Sequence, residues 1–208
     1  MTNFVVLQSG GPTPVINRSL TGIIRKAKEL FPNNQVFGAR HGVEGLITDE
    51  LVDLTALGES DLDIIDQTPG AVLGSTRHKI TLEELPIILD TLDKNRIDIL
   101  HIIGGNDSAE TGMDIQKYAS RLDHELQVIN VPKTIDNDLV ETDHCPGFGS
   151  TAKFIALATL GIGMDTKSMG KYAPVAIMEV MGRDTGWLAA ASGPVSYTHL
   201  RAHETRED

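Results

Sequence analysis

Apolar residues along this chain fall into two rhythms. Short, mostly apolar runs at Phe4 to Leu7, Val36 to Ala39, Asp98 to Ile103 and Gln127 to Val131 are what strands covered on both faces require. Between them stand longer stretches that are apolar on one side only. Pro14 to Leu30 gathers Val15, Leu20, Ile23, Ile24 and Ala27, and Thr81 to Lys94 gathers Leu85, Ile88, Leu89 and Leu92, so both read as helices. Thr81 followed three residues later by Glu84 has the form of a capping box. The pattern weakens from Ala39 to Gly74, where short elements around Gly45 to Leu54 and a helix near Ser60 to Asp66 are expected. Further on it predicts a helix over Ala109 to Leu122, a helix over Phe148 to Met164 despite Gly161, a strand over Pro174 to Val180 and a helix from Thr185 to Ser192. Strands alternating with helices imply βαβ units. The predicted class is α/β, a mostly parallel sheet flanked by helices in three α/β/α layers, with no internal repeat and no low-complexity linker.

Composition narrows what such a fold can do. With 208 residues, 40% of them hydrophobic, the chain can bury a sizeable core in one large domain or two small ones. Cys145 is the only cysteine, so there is no disulfide framework and a reducing compartment suits. No charged start precedes a long apolar stretch, and no run approaches the roughly 20 apolar residues of a membrane helix. A soluble cytoplasmic protein with no membrane partner is the expectation. Asn-x-Ser patterns at Asn17 and Asn106 would matter only in a secreted protein. The formal net charge of -11 argues against non-specific nucleic-acid binding, which needs clustered cations. It leaves room for a small phosphorylated substrate, provided particular cations and backbone N–H groups supply local positive potential.

Three polar or glycine-rich loops follow apolar runs: Ser9-Gly10-Gly11-Pro12, Gly104-Gly105-Asn106-Asp107-Ser108, and Lys133-Thr134-Ile135-Asp136-Asn137-Asp138. Open α/β sheets bind ligands at the carboxyl ends of their strands. In the third loop two carboxylates stand with a lysine, and a base that accepts an alcohol proton beside a cation that holds phosphate is the chemistry of phosphoryl transfer. A solvated polar turn is the plain alternative for any one of these loops. The first loop lacks the Gly-Lys-Ser/Thr ending of a Walker A motif, so P-loop mechanics do not transfer. No His/Cys spacing suggests zinc, and His144 beside Cys145 reads as structural.

Gly10-Gly11, Gly104-Gly105, Thr134-Ile135-Asp136-Asn137-Asp138 and Met181-Gly182-Arg183 stand in the order and approximate spacing of the phosphofructokinase family, which the chain resembles from about Asn3 to about Gly193. Any one motif could arise by chance; all four in order are highly specific. The resemblance implies residues 1–138 as an N-terminal α/β domain binding the phosphoryl donor, and 139–194 as the start of a sugar-phosphate-binding domain. Family chains continue for well over a hundred residues beyond the Met181-Gly182-Arg183 loop, so a fragment truncated in its second domain is expected. Ser196 to Thr205 resembles translated adapter or linker sequence, and 195–208 is expected to be a non-native tail.

The resemblance also assigns roles. Asp136 would accept the proton of the sugar hydroxyl, with Thr134 and Ile135 beside it and Asp138 orienting the loop or reaching a metal. Gly10 and Gly11 would contact the donor, and Arg77 would bridge donor and acceptor phosphates. Met181 and Gly182 would line the sugar phosphate, and Arg183 would offset charge developing on the transferred group. ATP-using members resemble Gly-Gly-Asp-Gly-Ser in the second loop; pyrophosphate-using members carry an acidic residue at the later glycine and a lysine before the threonine. This chain has Asp107 and Lys133 there. A carboxylate where a nucleotide's α-phosphate would lie repels it, while Lys133 can neutralise a departing phosphate. Asn106 departs from the family's metal-binding aspartate, and an amide is a poorer Mg²⁺ ligand than a carboxylate. Mg²⁺ is expected all the same, held by the two phosphates with Asp107 or Asp138, directly or through water, and with Asn106 as the weaker candidate ligand.

These features predict a phosphotransferase moving phosphate from pyrophosphate to the 1-hydroxyl of fructose 6-phosphate, in glycolysis or its reverse, in a homo-oligomer when full length. The alternatives are ATP as donor, sedoheptulose 7-phosphate as acceptor, or, in another class, a phosphate-binding regulatory subunit that has lost catalysis. That last reading would be cued by loss of the base, and Asp136 is present.

Overall fold

The computed structural model describes residues 3–204, with side chains as far as Val195. Two compact units divide between Lys133 and Thr134. The break falls five residues before the expected boundary after Asp138, for a local reason. The Lys133 N–H is donated to the Gly104 carbonyl at 3.0 Å, continuing the first unit's sheet, whereas the Thr134 N–H is donated to Pro146 O at 3.3 Å within the second unit.

In the first unit, β1 (Asn3–Gln8) leads to α1 (Ile16–Leu30), β2 (Val36–Ala39), the single turn α2 (Glu44–Ile47), β3 (Leu51–Asp53) and α3 (Glu59–Gln67). After a long connection come α4 (Leu85–Lys94), β4 (Ile97–Gly104), α5 (Asn106–Arg121) and β5 (Gln127–Pro132). The five strands lie in the order β3-β2-β1-β4-β5. All neighbours pair in parallel except β2 with β3, where Gly38 faces Val52 in an antiparallel ladder. Alternate strand residues feed two cores, one on each face. Val5, Leu7, Leu100 and Ile102 pack with Leu46 of α2, Ile88 and Leu92 of α4 and Ile115 of α5. Phe4, Val6 and Ile103 pack with Ile16, Leu20 and Ile24 of α1 and Leu62 of α3. Each fully buried Leu or Ile contributes about 1.5–3 kcal/mol over leaving it in water, so the continuous apolar runs seen in the sequence follow from helices covering both faces. The three layers are as the pattern implies.

Helix starts differ from expectation. Helix α5 begins at Asn106, three residues early, with Gly105 as its extended N-cap. Helix α4 begins at Leu85, where Pro86 suits the first turn because its missing N–H has no helical acceptor to serve. The Thr81 box is half formed: Glu84 Oε2 accepts the Thr81 N–H at 2.7 Å, and the same carboxylate meets His78 Nε2 at 2.9 Å. These contacts hold the Glu84 carboxyl below its usual range, the Thr81 N–H first and His78 next.

The second unit holds α6 (Phe148–Met169), a 3₁₀ turn (Gly170–Tyr172) and α7 (Trp187–Glu204), with α6 packed on α7. The predicted strand over Pro174 to Val180 does not form; these residues belong to no helix or strand. A strand needs a neighbouring backbone to accept its N–H groups, and Val175 and Ile177 are instead 74% and 93% exposed. Helix α6 runs on to Met169, beyond the expected Met164, and α7 continues through 195–204. The side chains of the expected tail from Ser196 lie outside the described residues. No helix among the described residues is long and apolar enough to cross a membrane.

Candidate active site

The chain leaves β1 through α1 towards β2 on one side and leaves β4 through α5 towards β5 on the other. Adjacent parallel strands whose connections diverge open a crevice at their carboxyl ends. Ser9, Gly10 and Gly11 occupy it after β1, and Gly104 and Gly105 at the end of β4. They come close because Gly104 has no side chain: a Cβ there would stand 2.2 Å from Ser108 Oγ. The Ser108 hydroxyl is thereby free to approach Ser9 Oγ, at 2.8 Å.

Lys133 enters from the end of β5. Its side chain is buried, and its Nζ donates to the Gly11 carbonyl at 2.6 Å. Gly10 makes room for it, with φ at +78° and a notional Cβ only 3.2 Å from Nζ. The ammonium therefore lies against the glycine loop, and its charge bears on the crevice from within the fold. In front of Gly11 the space is open, since a Cβ there would meet nothing within 4 Å.

Arg77 is brought to the same loop. The Gly10 N–H is donated to Thr76 O at 3.0 Å and Ser75 Oγ–H to Gly10 O at 2.6 Å, so exposed Arg77 follows directly on the pair that clasps Gly10. Asn106 and Asp107 open α5 and are both exposed. A carboxylate in a first helical turn also complements the positive end of the helix, which is the purely structural role open to Asp107. The first unit thus gathers Gly10, Gly11, Lys133 and the Arg77 loop directly, with Asp107 on the neighbouring helix start.

In the second unit the Thr134 to Asp138 loop is built on side-chain hydrogen bonds. Thr134 Oγ1 donates to Asp138 Oδ1 at 2.8 Å and accepts the Asp136 N–H at 3.1 Å. Asn137, in the left-handed region with φ 56°, accepts the Cys145 N–H at 2.7 Å and donates to Asp143 O at 3.1 Å. Asp136 Oδ1 is shielded from solvent while the residue as a whole is half-buried, like Ile135. Thr185 joins the two motifs of this unit, its hydroxyl donating to the Asp136 carbonyl at 2.8 Å. Met181 and Arg183 are exposed, and Arg183 lies against its neighbour Asp184 at 3.2 Å. Such an exposed pair is worth at most about 1 kcal/mol.

Asn106 and Asp107 belong to the first unit and Asp138 to the second. Among the described residues no three His, Cys, Asp or Glu side chains gather as a metal-binding group.

A family model described as Phosphofructokinase matches residues 3–201. The chain belongs to the phosphofructokinase family. It is 42% identical over 189 residues to a pyrophosphate--fructose 6-phosphate 1-phosphotransferase of Rhodospirillum rubrum, covering 90% of this chain and 46% of that protein. It is 39% identical, also over 189 residues, to a sulfofructose kinase of Alkalicoccus urumqiensis, covering 89% and 48%. Among solved structures, the pyrophosphate-dependent phosphofructokinase of Nitrosospira multiformis is similar with a TM-score of 0.86 at 37% identity, over 93% of this chain and 49% of that one. The chain spans about half the length of the curated relatives it matches.

Some residues that shape the site carried no motif. Gln8, Asn17, Ser75 and Thr185 each hold a loop through a hydrogen bond to a distant part of the chain. The one local cue was Gln8, a polar residue closing an apolar run.

Proposed function

We infer that the full-length protein transfers phosphate from pyrophosphate to the 1-hydroxyl of fructose 6-phosphate. The observation that carries the donor assignment is the Lys133 ammonium seated beneath Gly10 and Gly11. Pyrophosphate is all charge, with no base or ribose to place, and a compact cationic floor under an open loop suits it. Asp107 acts in the opposite sense on a longer donor. Its carboxylate at the start of α5 repels a further phosphate, and an unpaired like-charge contact can cost several kcal/mol as an order of magnitude. The names of the Rhodospirillum and Nitrosospira proteins agree with this donor.

Each remaining residue has a task in the proposal. Gly10, Gly11 and Arg77 hold the donor; Arg183 leaves Asp184 to offset charge on the transferred group. Asp136 takes the proton as the sugar oxygen attacks one phosphorus of pyrophosphate, whose bridging P–O bond breaks to release orthophosphate beside Lys133. Thr134, Ile135, Met181 and Gly182 line the sugar. Mg²⁺ would be held by the two phosphates with Asp107 or Asp138, directly or through water, and would offset their charge.

Initial rates of the full-length protein with pyrophosphate and with ATP, measured in parallel, test the donor. Pyrophosphate is expected to be the faster, and Asp107→Gly is expected to raise the ATP rate relative to it. Preference of the unaltered protein for ATP would overturn the assignment. A second reading concerns the acceptor alone: the Alkalicoccus relative is named a sulfofructose kinase, and rates with fructose 6-phosphate against sulfofructose separate the two.

A further inference from the structure

Two carboxamides are buried where an apolar pair would suffice for packing. Gln8, the last residue of β1, and Asn17, in the first turns of α1, are both fully buried. Gln8 Nε2 donates to Asn17 Oδ1 at 2.9 Å and to Ile16 O at 3.2 Å, and Gln8 Oε1 accepts the Leu73 N–H at 3.0 Å. Asn17 Oδ1 also accepts the Val72 N–H at 3.0 Å, and Asn17 Nδ2 donates to Thr68 O at 2.8 Å. These partners determine which way each amide faces, because the two backbone N–H groups must meet oxygens.

The network closes a ring. From Gln8 the chain runs two residues to Gly10; from Leu73 it runs three residues to Thr76; and Gly10 meets Ser75 and Thr76 through the 2.6 and 3.0 Å bonds. The connection from Thr68 to Arg77 has no helix or strand of its own, so these bonds set its course over the end of β1. Apolar replacement of buried polar pairs is often neutral or stabilising. Packing alone therefore gives no reason for two amides here, whereas placement does. Backbone N–H groups at Val72 and Leu73 can be located only by an acceptor in a defined direction.

We propose that Gln8 and Asn17 are positioning residues of the donor site, which set Arg77 beside Gly10 and Gly11 by fixing the 68–76 segment to β1 and α1. This rests on the reading of Gly10, Gly11 and Arg77 as the donor-binding group. Neither amide touches the donor. They act through Arg77, so their loss appears in donor binding and only while Arg77 is present.

The test is a double-mutant cycle in the full-length protein, with Gln8→Met, Arg77→Met and the double variant. Met matches Gln in length and removes all three of its bonds. Gln8→Met is expected to raise the KM for pyrophosphate about tenfold and to leave the KM for fructose 6-phosphate within twofold. Adding Arg77→Met to Gln8→Met should then raise the pyrophosphate KM much less than Arg77→Met does alone. Additive effects, equal changes in both KM values, or an unchanged donor KM in a folded Gln8→Met protein would each overturn the proposal. Ser75→Ala removes one side of the ring without disturbing the core, and stands in should Gln8→Met not fold; it is expected to raise the same KM severalfold, and no change would count against the ring. If the enzyme prefers ATP, the pyrophosphate assignment falls, but the cycle is then run with ATP and still decides the role of Gln8.

Discussion

Backbone hydrogen bonds hold Asp136 on both sides of its Cα: its N–H is donated to Thr134 Oγ1 at 3.1 Å, and its carbonyl accepts from Thr185 at 2.8 Å. Replacing the side chain leaves both in place. In the full-length protein Asp136→Asn should therefore keep the loop and the affinity for sugar phosphate while losing the proton acceptor, with kcat falling about 10²–10⁴-fold, the usual worth of a positioned general base. Steady-state rates and a direct binding measurement on the same variant check both halves. Unchanged kcat would remove Asp136 from the chemistry and revive the reading of a phosphate-binding subunit. At Lys133 the constraint is of another kind. A buried ammonium must be compensated, and the Gly11 carbonyl supplies part of that compensation from within the loop that the charge serves.

Strands β1, β2 and β4 were legible in the sequence because helices cover both faces of the sheet there, so burial wrote itself as mostly apolar runs, whereas edge strand β5 buries none of its residues and showed only as a partly apolar run. The same signal misled at Pro174 to Val180. An apolar run reports that side chains favour burial, and says nothing of which backbone accepts the N–H groups. The start of α5 was hidden for the opposite reason, since Gly105 to Asp107 look like loop until the helix is seen to grow from Gly105. The three loops at strand ends were readable as motifs. The Gln8 and Asn17 network was not, because its partners lie eight to sixty-five residues away in sequence. Glycines in neighbouring loops look alike in sequence yet differ in what surrounds them. Gly104→Ala puts a Cβ 2.2 Å from Ser108 and must push α5 away from β4, whereas at Gly11 a Cβ meets open space. Gly104→Ala is expected to cost about 1–3 kcal/mol, the usual range for overpacking, seen as a lower urea midpoint. Gly11→Ala should leave that midpoint unchanged and raise the donor KM, because its methyl occupies the space assigned to the phosphate. Equal stability of the two variants would contradict the close approach of α5.

Across the molecule, burial is divided unequally. Both apolar cores consist of first-unit residues, while in the second unit the buried hydrophobic side chains among the described residues are Cys145 and Leu188. Helix α6 buries none of its residues; Phe154, Leu157 and Met164 are each at least 60% exposed. A helix apolar on several sides is built to be covered, and exposed apolar area of this kind invites association. These 208 residues taken alone should accordingly behave as one stable unit carrying a weak one. Hydrogen exchange on the purified chain is the measurement, since amides held by a packed core open only with global unfolding while those on a poorly buried helix open locally. Amides of β1 and β4 are expected to be the slowest and those of α6 among the fastest, with the chain binding a hydrophobic dye and showing no phosphoryl transfer. That last expectation rests on the second unit: the Met181 to Arg183 loop stands between helices that lack a core to fix them, and catalysis of this type depends on positioning. Uniformly slow exchange through α6, together with measurable turnover by this chain, would mean that the second unit is already held in its working arrangement.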